Sequence, residues 1–569
     1  MPIKFILIFV FILPISIFLL PSNSLSQSIQ LTSSVINDRV IQSFTKDTMY
    51  KSHLISSFSI NSPHLDSSTL YYSFSKRFRR KFNYFDISIS PLHYLVNYNS
   101  GFPSSWNDRA MISSKGFQQF STVGININSK YFKLFVQPEF VQSQNLRFTW
   151  VNQFHSNDIW RGVYDYMNRI DIPKYFGSGM YTNLNVGQSS FKISTKKIDI
   201  GISTENLWWG AGMRNSIVMS DNARGFPHFS INTTSPINTR LINVEFQLIN
   251  GLLKNSGYDP LDTTEYFSYA AFYKPKKNLK RYINGLTIVL QPVFIKNLFF
   301  GFNRVFYFYD NGLNKGLNFF MPVFTGLIPK NIIGDMQREQ DQLASIFLKY
   351  VFPKTKFEVF FEYARNDLAV NARDLALQPD HARAFSLGFR GKISPSNIYF
   401  LYEMTHLQMP KTGSYFPDRG LNLFRNQEGW YAHYQVVHGY TNNGQVIGAG
   451  IGSGSNSHSF AFRGSHKNIN YEFRFERIWR NMDLFNRVFY SKNSDFKPWI
   501  DNIFGISVCK RLSNKLFLEN SLDITHSPNY FWKRNTSSSD GMNMNFNTVF
   551  LMEQPVNNFN PRISFIYAL

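Results

Sequence analysis

Ile469-Asn470-Tyr471-Glu472-Phe473-Arg474-Phe475-Glu476 is the stretch that decides the fold. Ile469, Tyr471, Phe473 and Phe475 alternate with Glu472, Arg474 and Glu476. Successive side chains of a strand point to opposite faces, so this run has one apolar, aromatic face and one ionised face. The same split recurs along the chain. Ile242, Val244, Phe246 and Leu248 oppose Asn243, Glu245 and Gln247; Val359, Phe361 and Tyr363 oppose Glu358 and Glu362; Leu516, Leu518, Leu522 and Ile524 oppose Glu519 and Asp523.

Short connections punctuate these strands at Pro353–Lys356, Ser394–Asn397 and Ser513–Lys515, and long polar stretches at 366–384, 408–427, 442–457 and 529–541 separate successive hairpins. Short turns on one rim and long loops on the other predict an all-β, transmembrane antiparallel β-barrel. In hydrocarbon such a sheet must close, because each backbone group left at an open edge costs several kcal/mol. A soluble sandwich or propeller also alternates. Against it stand the size of the apolar faces, as in Phe299-Phe300-Gly301-Phe302 and Phe306-Tyr307-Phe308-Tyr309, and the ionised groups opposite them, which suit a wet lumen. The final Ile563, Phe565, Tyr567 and Leu569 share one face, as expected of a closing strand. With roughly 10 membrane residues per strand, about 16–18 strands leave most of the chain for loops and for something folded in the pore. A partly plugged lumen is therefore expected, and 331–345 reads as a short helix in a loop.

The chain has 569 residues, 59 Lys+Arg against 37 Asp+Glu, a net charge of +22 and a single cysteine, Cys509. Only 17% of residues are charged, and 17% are aromatic. No apolar run of membrane-helix length lies beyond the N-terminus, which excludes a polytopic helical membrane protein. One cysteine excludes a disulfide framework and a thiolate metal site. Lys4, the apolar stretch from Phe5 to Leu20 and the small residues up to Ser26 read as a signal peptide over residues 1–26. Residues 27–569 then read as a single outer-membrane barrel domain, with 27–68 a periplasmic or plugging piece.

One segment is more specific than composition: Glu205-Asn206-Leu207-Trp208-Trp209-Gly210-Ala211-Gly212-Met213-Arg214-Asn215-Ser216-Ile217-Val218-Met219-Ser220-Asp221-Asn222-Ala223-Arg224-Gly225-Phe226-Pro227. It resembles the signature of the capsule assembly Wzi family. Gln137-Pro138-Glu139 looks like that family's upstream Pro-Glu, and His438 to Gly448 like its downstream tyrosine, glycine and Ile-Gly segment. Ala211 and Asp221 depart from the family's preferred proline and asparagine. The resemblance implies an outer-membrane β-barrel that holds surface polysaccharide in a lectin-like way, without catalysis.

Read as chemistry, the flat rings of Trp208 and Trp209 can stack on sugar C–H groups. Arg214 and Arg224 can pair with uronate or phosphate, and Asn222 can bond hydroxyls. Gly210, Gly212, Pro227 and Glu139 read as structural members of the motif. The competing reading makes the same residues a buried turn or lumen wall. Glu245, Glu358, Glu362, Arg474 and Glu519 are candidates to line the lumen. Gly448 to Gly454 imitates a dinucleotide fingerprint, but no helix pattern follows it. No catalytic motif, metal set or cofactor box is found. His433 and His438 fall five apart, on opposite faces if they lie on a strand.

Basic clusters at Arg77 to Lys81 and Lys274 to Arg281 suit phosphorylated lipid of the outer membrane or an anionic polysaccharide; nucleic acid is not expected of an exported barrel. The sequence thus points to a monomeric polysaccharide-binding protein of the cell outer membrane, with a porin-like channel for small solutes as the alternative and a barrel enzyme third.

Overall fold

Among the described residues each strand of the wall pairs with two neighbours, and these pairings trace a ring, while Thr441–Asn442 and Gln445–Val446 form a separate small hairpin. The computed structural model describes residues 80–81 and 85–567, apart from 149–155, 261–270, 311–322, 324–339, 367–379, 381, 394–396, 411–428, 467–468, 491–495 and 533–555. The expected signal peptide and the 27–68 segment lie outside the described residues.

Four strands are kinked and run as two spans each: β1 (Phe85–Ile89, Leu92–Asn99), β2 (Gly116–Thr122, Ile125–Ser129), β3 (Phe132–Val136, Glu139–Ser143) and β4 (Tyr181–Asn185, Ser190–Ser194). Then come two short strands, β5 (Ile198–Ser203) and β6 (His228–Thr233, Ile237–Asn238). The remaining twelve are β7 (Ile242–Leu253), β8 (Arg281–Pro292), β9 (Leu298–Tyr309), β10 (Gln340–Phe352), β11 (Phe357–Asn366), β12 (Arg383–Ile393), β13 (Ile398–His406), β14 (Asn456–His466), β15 (Ile469–Trp479), β16 (Ile500–Arg511), β17 (Leu516–Ser527) and β18 (Val556–Tyr567). Each pairs antiparallel with the next. The ring closes where β18 pairs with β1, Arg562 opposite Asn97 and Tyr567 opposite Leu92. Among the described residues this makes an 18-stranded barrel, an even number at the upper end of the expected range. Closure satisfies the backbone of what would otherwise be two edges.

Alternation sets the two faces. Phe473 on β15 is 52% exposed and stands opposite Phe462 on β14, 50% exposed, and Ile506 on β16, 50% exposed. Their neighbours Glu472, Glu476 and Ala461 are buried. An apolar band faces out and a filled interior faces in, the arrangement of a barrel in lipid. The connections from β2 to β3, β8 to β9, β10 to β11 and β16 to β17 are tight turns, on the same rim as both ends of the ring. The long loops gather at the opposite rim, which in outer-membrane barrels is the outer mouth. Helix α1 (Asn157–Met167) and a helical turn, α2 (Met482–Leu484, continued by a π-helical turn Phe485–Tyr490), belong to those loops.

One expectation is corrected. Gln340–Ser345, the described part of the anticipated helix, is strand: it opens β10 and pairs with Phe308 to Asn303 of β9. Asp341, Leu343 and Ser345 all face inward, and Tyr307 donates to Asp341, so the period is two there as well.

Candidate functional site: a loop folded into the lumen

Loop 204–227 leaves the top of β5, turns into the barrel and returns at β6. Its first residues are set by the kinks in the wall. Pro138 has no N–H to give the ladder, so β3 breaks there, and Glu139 and Gln188 face in beside one another. Gln188 Nε2 donates to Glu139 Oε1 at 3.0 Å and to Asn206 Oδ1 at 2.7 Å, and the Asn206 N–H returns to Gln188 Oε1 at 2.8 Å. Glu205 pairs with Lys192 at 2.7 Å. Burial alone would raise the Glu205 carboxyl, but the Lys192 charge and hydrogen bond hold it below the usual range.

The loop then spans the lumen from wall to wall. Trp209 is 1% exposed; its Nε1 donates to Gln247 of β7 at 2.9 Å, and its ring lies against Gly285 of β8. The Trp209 N–H bonds the Met219 carbonyl at 2.9 Å, closing the loop on itself. Gly210 has φ +141°, and a Cβ there would meet Glu362 of β11 and Ser216. At Gly212 a Cβ would sit 1.8 Å from the Asn215 carbonyl oxygen. These two positions are closed to any other residue. Trp208, half-buried, donates to the Gly212 carbonyl at 3.0 Å.

Opposite, Glu403 of β13 receives three backbone N–H groups: Met213 and Arg214 on Oε2 at 2.7 and 2.8 Å, and Asn215 on Oε1 at 2.6 Å. Arg214 forks onto Glu476 of β15, Nε to Oε1 at 2.6 Å and Nη2 to Oε2 at 3.0 Å, and lies 3.9 Å from the centre of the Trp106 ring. Arg474 continues this network to Glu472 at 3.1 Å, Glu476 at 3.2 Å and Asp523 at 2.7 Å.

Asp221 pairs with Arg109 at 3.3 Å, which gives the family departure at this position a partner; burial nevertheless pushes its carboxyl up. Asn222 Nδ2 donates to the Val446 carbonyl at 2.9 Å and its Oδ1 accepts from the Asn107 N–H at 3.2 Å. Arg224 reaches the Asn183 and Asn443 side-chain oxygens, Nη1 to Asn183 at 3.0 Å. The carbonyl of Pro227 accepts from Leu252 at 3.0 Å. The segment from His438 to Gly448 covers the loop from above. Ser220 donates to the Gly448 carbonyl at 2.6 Å, and Tyr431, itself fully buried, donates to the Ile217 carbonyl at 2.7 Å. The three stretches quoted for the resemblance, far apart in sequence, therefore meet in one place.

The sugar candidates Trp209, Arg214 and Asn222 thus spend their bonding capacity inside the barrel, while Trp208 and Arg224 are half-buried with internal partners. Of the lumen candidates, Glu358 is held between Lys349 at 3.4 Å and Arg390 at 2.9 Å, and Glu362 accepts from Ser345 at 2.7 Å. Glu245 is buried on the inner face of β7, and Glu519 half-buried on that of β17. The Lys274–Arg281 cluster divides. Lys276 donates to the Met167 and Val437 carbonyls, and Arg281 to the Gly439 and Lys254 carbonyls, so both hold loops together. His433 and His438 sit in a loop, not a strand; His438 Nδ1 meets the Tyr309 hydroxyl at 2.5 Å. Among the described residues there is no cluster that could hold a metal. Glu403 and Trp106 were not singled out from sequence. Glu403 was within reach of the period-two argument, since it alternates with Tyr402 and Met404 as Glu362 does with its neighbours.

Residues 107–474 match the family described as capsule assembly protein Wzi. The chain belongs to that family. Wzi of Escherichia coli, described as an outer-membrane protein involved in group 1 capsule assembly and a carbohydrate-binding β-barrel, superposes with a TM-score of 0.56 at 11% identity, over 96% of this chain and 100% of that one. OccK8 (OprE) of Pseudomonas aeruginosa gives a TM-score of 0.40 at 8% identity, over 85% and 97%. Among curated proteins none matches the sequence. As a member of the Wzi family with this fold, the chain is an outer-membrane protein, and the family's signature is the loop that fills its lumen.

Proposed function

We propose that this barrel binds exported or capsular polysaccharide at the outer mouth, as a monomer and without catalysis, and helps to attach or assemble it at the cell surface. The observation that carries the reading is that the family signature builds a plug. With loop 204–227 tied to β7, β11, β13 and β15, the lumen is filled by ion pairs and buried aromatics, which argues against a route for solutes. What the barrel then offers the outside is its loop surface. Tyr434, Tyr490 and Tyr258 are 52%, 56% and 37% exposed there, and Arg161 stands over the Phe272 ring. Such rings supply stacking faces for sugars, and the surrounding basic groups suit anionic residues. Many weak contacts along a repeating chain add up to retention without one strong site.

The test is a pull-down of the folded protein against the surface polysaccharides of its own cell, with Tyr434→Ala and Tyr490→Ala compared with Trp208→Ala and Arg224→Ala. Capture weakened by the tyrosine changes supports the loop surface; capture lost only with Trp208 or Arg224 moves the site to the plug. No capture, together with solute-sized conductance in planar bilayers, would refute the proposal in favour of a channel.

A further inference from the structure

The outward face of β11 to β13 breaks its own rule near the outer rim. Along β11 the outward residues are Phe361, Tyr363 and then Arg365, close to the strand's outer end. Arg365 lies directly opposite Arg383, the first residue of β12, and on the same outward face. Like charges directly opposite one another across two strands repel. Neither arginine has an ion pair among the described residues. Arg365 is 9% exposed, and none of its three guanidinium nitrogens has a hydrogen-bond partner; Arg383 Nη1 is buried and unpartnered as well. A buried guanidinium without an acceptor is expensive, and an anion brought to this pair would relieve that cost.

One row below, the surface is aromatic. Tyr363 stands opposite Phe385 and Phe385 opposite His406, whose ring stacks on Phe385 at 5.0 Å with an interplanar angle of 5°. His406 Nδ1 is also without a partner. The Arg383 guanidinium lies 5.4 Å from the Phe385 ring centre. Asp380, at the foot of the loop before β12, is the carboxylate whose charge reaches Tyr363 together with those of Arg365 and Arg383, so positive charge prevails among the described residues. Aromatic rings mark the level of headgroups in a membrane protein, with apolar residues below and polar groups above.

We propose that this outward rim of β11–β13 is a binding site for the phosphate of an outer-leaflet glycolipid, with Arg365 and Arg383 as its two forks and His406 at its flank. Guanidinium groups match phosphate in bidentate geometry, and the anion nearest a lipid-facing rim is a lipid headgroup. The acyl chains of the same molecule would lie along the apolar band that carries Phe361 and Leu387. The site is separate from any glycan bound in the lumen or on the inward loops, because it lies on the outward side of the wall.

The test titrates full-length folded protein in detergent with a phosphorylated glucosamine-disaccharide lipid and with the same lipid after phosphatase treatment, following bound lipid by native mass spectrometry. The wild-type protein is expected to prefer the phosphorylated lipid by at least about tenfold, from two basic groups acting near an anionic headgroup. The Arg365→Gln, Arg383→Gln double variant is expected to lose that preference, whereas Lys197→Gln at the opposite rim retains it. Folding of each variant is checked by its heat-modifiable migration on gels. If the double variant does not fold, Arg383→Gln alone decides, a severalfold loss of preference upholding the site and an unchanged preference overturning it. Equal binding of both lipids by the wild type overturns it. So does displacement of the lipid by inorganic phosphate or by a soluble anionic polysaccharide at concentrations equal to the lipid's own, which would make this a site for that anion instead.

Discussion

The wall from β7 to β18 and the loop from 204 to 227 satisfy their backbones in opposite ways. In the wall, backbone bonds backbone, strand to neighbouring strand, and side chains only choose a face. In the loop, backbone N–H groups turn to side chains of the wall, three of them to the single carboxylate of Glu403. A wall built from ladders tolerates many side chains as long as they alternate. A plug built on a few acceptors does not, because each buried donor left without a partner costs about 1–3 kcal/mol.

The sharpest test of this contrast is Glu403→Ala. It orphans three N–H groups at once, and the expected result is a loss of several kcal/mol in the plug's hold, read as a conducting barrel in planar bilayers with the strands still formed by circular dichroism. A closed, non-conducting variant would show that the loop is held mainly by packing. Trp209→Ala follows in size. The ring is buried between Gln247 and Gly285, so its removal is expected to cost about 3–5 kcal/mol by leaving a cavity and an unpaired Gln247 amide. Thermal unfolding compared with Trp208→Ala checks it, since Trp208 is half-buried and its change should cost clearly less.

The same contrast explains what could be read in the sequence. Barrel, strand faces and closing strand follow from a period of two, and Phe473 against Glu472 is visible within two residues. The plug follows no period. Its partners are Glu403 for Asn215, 188 positions away, and Glu476 for Arg214, 262 positions away. Motif spacing pointed to the segment as special, but not to whether Trp209 and Asn222 face a sugar or a wall. A ring that stacks on sugar and a ring that fills a lumen have the same sequence. In Gln340 to Ser345 polar residues on both faces hide the alternation, and only the ladder with β9 reveals the strand.

A pH effect is expected in the mouth, smaller and local. Asp483, in the helical turn α2, is buried; burial, against a hydrogen bond from the Met409 N–H and the charge of Arg487, pushes its carboxyl up to about 7. A folded-state value raised above the unfolded one means that the folded loops hold the proton more tightly. The contribution of this proton to their stability is therefore full below about pH 4 and declines as pH rises toward and through 7. The protection factors of amides in residues 480–490, exchange rates taken relative to the intrinsic chemical rate at each pH, are expected to fall over that window, and Asp483→Asn to abolish the fall. Protection factors that do not change with pH in the native protein would break the link.

The smallest effect belongs to the wall's outer face, and there a small effect is the informative one. Phe473 meets Phe462 and Ile506 across the ladder and the Tyr471 ring at 6.2 Å, and the rest of it is exposed, so a shorter apolar chain loses no hydrogen bond and only ring contacts. Phe473→Leu is expected to change stability by less than about 1.5 kcal/mol, as apolar swaps of similar volume do. Phe473→Arg at the same place should cost about 2–4 kcal/mol if the residue lies near the middle of the bilayer, and little if it faces water. The ratio of the two, measured by reversible unfolding from lipid vesicles, separates a lipid-facing wall from a water-facing one. A difference below about 1 kcal/mol would mean that the aromatic face is not in hydrocarbon, and the inward ion pairs would then need a reason other than an enclosed lumen.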